Sequence, residues 1–128
     1  MAPIPVAPRK LNNAERAVLD KILSTPFPGS PELKKQIDVC QVIAQWSEDS
    51  VSVDIHPMPE AVPAVGVANG PAPAIGVVQG LPGDELPLVG EILVWVAGGY
   101  ISGIEFTWYG DEMPKQLPPA DRILVEVE

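Results

Sequence analysis

The stretch whose reading decides the fold is Glu91-Ile-Leu-Val-Trp-Val-Ala-Gly-Gly-Tyr-Ile-Ser-Gly-Ile-Glu-Phe-Thr-Trp108. Two β-prone runs flank Gly98-Gly99, and a Gly-Gly pair tolerates positive φ at both centres of a two-residue turn. The stretch therefore reads as a β-hairpin, and it holds four of the seven aromatic residues in the chain. With Gly98 and Gly99 as the loop, direct counting pairs Ala97 with Tyr100, Trp95 with Ser102, Leu93 with Ile104 and Glu91 with Phe106. One face then carries Leu93, Trp95, Tyr100, Ile104, Phe106 and Trp108. The other carries Ile92, Val94, Val96 and Ile101, with Glu105 and Thr107 toward its end. Both faces are largely apolar, so one should meet the helices and the other should be covered by loops or by a partner.

Working outward, Val39 to Trp46 reads as a strand and 47–50 as a polar turn. Val51, Val53 and Ile55 then alternate with Ser52, Asp54 and His56, the period of a half-buried strand. Ala74 to Gln79 and Ile123 to Val127 read as further strands, the last at an edge. Residues 81–90 and 109–121 read as loops. Toward the N-terminus, Asn12 and Glu15 have capping-box spacing, and Val18, Leu19, Ile22 and Leu23 recur at helical spacing. Thr25-Pro26 ends that helix, because the residue before Pro avoids the α region. Ser30 is placed to cap a second, short helix with Pro31 at its first position. Leu33 and Ile37 form its apolar edge.

The chain has 16 Pro in 128 residues, seven of them between Pro57 and Pro87. Residues 1–10 read as a flexible arm. Residues 11–128 read as a single α+β domain with a Pro/Gly-rich loop region near 57–73. The expected architecture is two N-terminal helices packed on a four- to six-stranded, mainly antiparallel sheet. The expected core is Val18, Leu19, Ile22, Leu33, Val53, Ile55, Leu93, Trp95, Ile104 and Phe106. A weak local repeat relates 63–70 to 73–80, but two copies do not make a solenoid.

Formal net charge is −9, and it is uneven: residues up to Lys35 sum to +3 and the remainder to −12. Such a surface repels phosphate backbones and anionic bilayers and attracts basic partners. A single cysteine, Cys40, permits no intrachain disulfide. The N-terminal residues lack the apolar core of a signal peptide, and no run is long enough for a transmembrane helix. The expectation is a cytoplasmic protein that binds neither nucleic acid nor membrane. Oligomeric state is not legible.

Chemistry-bearing motifs are sparse. His56 shares a strand face with Asp54, but a metal site needs three or four ligands. Cys40 lies on a half-buried strand and reads as a small core residue. Glu48-Asp49 and Asp111-Glu112 fall in turns and read as solvated side chains rather than as an acid/base pair. Glu105, inside a strand, is either buried and paired or at the sheet rim. The glycines at 66, 70, 76 and 80 form no phosphate cradle. No catalytic, cofactor or metal residue is assigned. The candidate interaction surface is Trp95, Tyr100, Trp108, Tyr109, Asp111 and Glu112. The chain reads as a small acidic, non-enzymatic protein-binding module, inhibitor- or immunity-like, for a basic protein. The alternative is a stand-alone domain that binds a small ligand under the Pro-rich loops.

Two segments carry a resemblance: 11–23 with Phe27-Pro-Gly29 and Glu32-Leu-Lys-Lys-Gln36, and Gly99 through Pro114 with Leu117-Pro-Pro119. Together they resemble a family of small uncharacterised proteins from high-GC Gram-positive bacteria. Related sequences often carry a Cys/Gly-rich turn where this chain has Ser47-Glu-Asp-Ser50. The resemblance implies an α+β fold and brings no activity and no functional residue.

Overall fold

The computed structural model describes residues 2–80 and 87–128. It is an α+β fold in which a seven-stranded sheet carries two α-helices. In chain order the elements are β1 (Ile4–Lys10), α1 (Asn13–Leu23), α2 (Ser30–Lys35), β2 (Cys40–Gln45), β3 (Val53–Pro57), β4 (Gly70–Gln79), β5 (Leu88–Ala97), β6 (Tyr100–Trp108) and β7 (Ile123–Val127). Short 3₁₀ turns at Gln36–Val39 and Ala120–Arg122 lead into β2 and β7. The strand order is β1-β2-β3-β6-β5-β4-β7, and every pairing is antiparallel.

Seven strands replace the four to six expected from the sequence, and a strand precedes the helices. Residues 4–10, expected as a loose arm, form β1 on the edge of β2. Its prolines concealed it, because Pro removes a ladder donor and is confined to edges and irregular positions. The pairing with β2 is indeed broken between Pro5 and Arg9. β4 tolerates Pro71 and Pro73 in the same way, since its register with β5 shifts between Pro71 and Ile75.

Gly98 and Gly99 adopt φ of 61° and 84°, as the hairpin turn requires. A side chain at Gly99 would also stand 2.4 Å from the Ala64 carbonyl oxygen. Beyond the turn, the direct count fails. Ala97 pairs with Tyr100 and Val96 with Ile101, but Trp95 pairs with Gly103, leaving Ser102 as the extra residue of a β-bulge. Leu93 consequently faces Glu105, Val94 faces Ile104, Ile92 faces Phe106 and Glu91 faces Thr107. The bulge lets Ile101 and Ile104, three apart in sequence, both join the buried side. That side carries Ile92, Val94, Val96, Ile101, Ile104 and Phe106. Leu93 and Trp95, expected in the core, fall on the opposite side and are half-buried.

The core joins these residues to Val18, Leu19, Ile22 and Leu23 of α1, Leu33 of α2 and Val42, Val53, Ile55, Ala74, Val78 and Ile123 of the sheet. α1 lies against β4 and β7. At Gly76 an added methyl would stand 2.9 Å from Ile123 Cγ2 and 3.1 Å from Ile22 Cδ1, so glycine admits the helix closely to the sheet. Each Leu or Ile buried here contributes about 1.5–3 kcal/mol of transfer free energy.

The capping box of α1 is complete. Asn12 Oδ1 accepts from the Glu15 amide at 2.8 Å, and Glu15 Oε1 accepts from the Asn12 amide at 2.9 Å. Glu15, only 3% exposed, also accepts two bonds from the Arg9 guanidinium, at 2.8 and 2.9 Å. β1 is thereby tied to α1. Ser30 is not the cap of α2: it is the first helical residue, after Gly29 in the left-handed region, and its hydroxyl accepts from the Phe27 amide.

Candidate functional site

Alternation sorts the charges of the strands onto one side. Val53, Ile55, Ile92, Ile104, Phe106 and Ile123 face the core. Asp54, Glu91, Glu105 and Glu126 occupy the opposite phase and so share the outer face. These are the only charged residues in the described strands β2 to β7, which contain no Lys or Arg. Six of the eight basic residues instead lie on β1, α1 and α2. There Arg9 pairs with Glu15, Arg16 with Asp38 and Lys34 with Asp20. Cationic charge on that side is partly neutralised, whereas no Lys or Arg of β2 to β7 neutralises the outer face.

Two tryptophans stand on the outer face, each bound to a carboxylate. Trp46, just past β2, donates its indole N–H to Asp54 Oδ1 at 3.0 Å. Trp95 on β5 donates to Glu105 Oε1 at 3.0 Å. Gly103 lies between them, paired with Trp95 on one side and Asp54 on the other. Having no side chain, it leaves an open recess of about 280 Å³ lined by Trp46, Asp54, Trp95, Ser102 and Gly103. The β-bulge brings Gly103 opposite Trp95, so the irregularity that corrects the register also creates the recess.

The candidate surface read from the sequence is not one patch. Trp95 lies in the recess. Tyr100 sits half-buried beside the hairpin turn. Trp108 and Tyr109 are at the far end of β6, eight residues or about 26 Å along the strand from Tyr100. Trp108, Tyr109, Asp111 and Glu112 are exposed there. The Tyr109 hydroxyl is held above its usual range by slight desolvation and by its bond to the Glu91 carboxylate. Trp46 and Asp54 are the recess residues the sequence reading did not select. Their signal was weak: the alternation placed Asp54 outward, but the β3–β6 pairing that brings it to Trp95 leaves no local trace.

The remaining nucleophile and base are separated. Cys40 is buried in the core, where desolvation pushes its thiol up to about 11. His56 follows the core-facing Ile55 and is exposed on the other side of the sheet. A larger cavity, about 540 Å³, lies between β1, α1 and the loop at 115–117. Two of its charged walls, Arg9 and Glu15, already satisfy each other.

The 57–73 region is pinned from beneath by Gln36, 2% exposed. Its amide nitrogen donates to the Val62 and Gly99 carbonyls, both at 2.9 Å, and its oxygen accepts from the Ile101 amide at 2.9 Å. Ala61 and Ala64 of the loop are themselves buried. A recess of about 320 Å³, lined by Glu32, Lys35, Gln36, Val39, Glu60 and Val62, remains at the loop's edge.

No protein-family profile, curated protein or solved structure matches this chain.

Proposed function

We propose that this chain is a small acidic protein-binding module of the inhibitor or immunity type, non-enzymatic, whose outer sheet face receives a basic partner protein. The observation that carries this reading is the segregation of charge. Four outward carboxylates and two half-buried indoles share a face to which strands β2 to β7 contribute no cation. A field of one sign accelerates encounter with a complementary surface, and aromatic residues beside it supply anchoring area. The separation of Cys40 from His56 across the sheet supports the non-enzymatic part of the reading, because nucleophilic catalysis needs a base within hydrogen-bond reach.

The competing reading, a small ligand under the Pro-rich loops, has less support. Ala61 and Ala64 of that loop are buried and the Gln36 amide bonds to it from beneath, and the recess that remains lies at the loop's edge rather than under it. Pull-down from the native source at low and high salt, with mass-spectrometric identification, separates the two. The expected result is a strongly basic protein held at low salt and released at high salt. A small molecule co-purifying with no protein at either salt would overturn the proposal.

A further inference from the structure

We infer that the recess over Gly103 is a receptor for one arginine side chain of the basic partner. This rests on the docking-face reading above and gives it a specific anchor. The argument is a count of donors and acceptors. Each indole N–H, the only polar group of its ring, is already engaged by Asp54 or Glu105. Each of those carboxylates uses only one oxygen for that bond, and Asp54 Oδ2 and Glu105 Oε2 have no partner among the described residues. The walls therefore offer carboxylate oxygens and aromatic surface, and their tryptophan donors are spent. A ligand suited to them is a planar cation with several N–H groups.

Arginine fits this better than lysine. Its guanidinium is flat, weakly hydrated, stacks on aromatic rings and presents forked donors to carboxylates. β5 and β3 are separated by β6, so their backbones stand two strand spacings, about 10 Å, apart. With glycine on the strand between them, one side chain has room to enter. A volume of about 280 Å³ accommodates one such side chain. A neutral sugar could stack on the same indoles and donate hydroxyls to the same oxygens, but it carries no charge to be drawn by the four carboxylates of the face.

The test follows the indole N–H resonances of the intact ¹⁵N-labelled protein during titration with a hexa-arginine peptide, a glutamine peptide of equal length, and a neutral hexasaccharide. The Trp46 and Trp95 signals should move together with the arginine peptide alone, while Trp108 stays in place. D54N/E105Q keeps an oxygen acceptor for each indole and removes both charges. It should weaken binding by about tenfold or more, against about twofold for E91Q/E126Q, which removes equal charge elsewhere on the face. If the two double variants weaken binding equally, the face acts by its field alone; the docking reading then stands and the arginine receptor is overturned. Shifts produced by the sugar but not the peptide, or by no probe at all, would also overturn it.

Discussion

Gln36 shows how one buried polar side chain can fix two loops. Its three hydrogen bonds hold Val62 of the Pro-rich segment, Gly99 of the hairpin turn and the Ile101 amide at the start of β6. Replacing it by alanine leaves those groups without their partner in a buried setting, which costs about 1–3 kcal/mol per unsatisfied group at most. Q36A should lower unfolding free energy by about 2–4 kcal/mol in urea titration and speed hydrogen exchange at the Ala64 and Ile101 amides. A loss below about 0.5 kcal/mol would show that the loop holds without it. Cys40 makes a pH-dependent prediction. Its folded-state thiol stays protonated up to about 11, whereas an unfolded thiol ionises near 9.0. Between those values the unfolded chain binds fewer protons, so stability falls as pH rises, by roughly 1.4 kcal/mol per unit from this group. The C40A variant, measured across the same range, should show a shallower slope; an unchanged slope would place the thiol in contact with solvent.

Among the elements, the hairpin is where sequence reasoning reached furthest and then slipped. Its strands, its turn and the positive φ of both glycines were legible, since Gly-Gly between β-prone runs has a direct steric meaning. The bulge at Ser102 was not. Nothing in the local composition of Ile101-Ser-Gly-Ile104 distinguishes a regular strand from one with an extra residue, yet a one-residue shift exchanges faces. Direct counting thereby groups Trp95 with Phe106 in the core, whereas Trp95 belongs to the outer recess and Ile92 and Val94 to the core. The two positions now separate experimentally. F106A, in the core, should cost about 3–5 kcal/mol, and W95A only about 1 kcal/mol. Equal losses in thermal or urea unfolding would contradict the bulged register. β1 is illegible for a different reason: its prolines imitate a loop, and what holds it, pairing with β2 and the Arg9–Glu15 tie to α1, is not local in sequence. R9Q removes a partner from a nearly buried carboxylate that keeps its capping bond to the Asn12 amide, and should cost about 1–2 kcal/mol by the same measurement.

At the scale of the whole molecule, the sequence announced an acidic chain but not where the charge would be presented. Of the fourteen acidic residues that follow Lys35, four lie on the strands after α2, and these four share one face because each sits in the phase opposite to its strand's core residues. The recess was less legible than the charge, because it joins Trp46 and Asp54 of one hairpin to Trp95 and Gly103 of another through the β3–β6 seam. The central claim is that this face, rather than net charge in general, docks a basic partner. The most direct measurement compares baits of equal charge in pull-down from the native source at low salt. One bait is D54N/E91Q/E105Q/E126Q; the other is D20N/E32Q/E60Q/D121N, four exposed carboxylates away from the strands. The account predicts that the first loses the basic partner and the second retains it; equal retention or equal loss by both would contradict it.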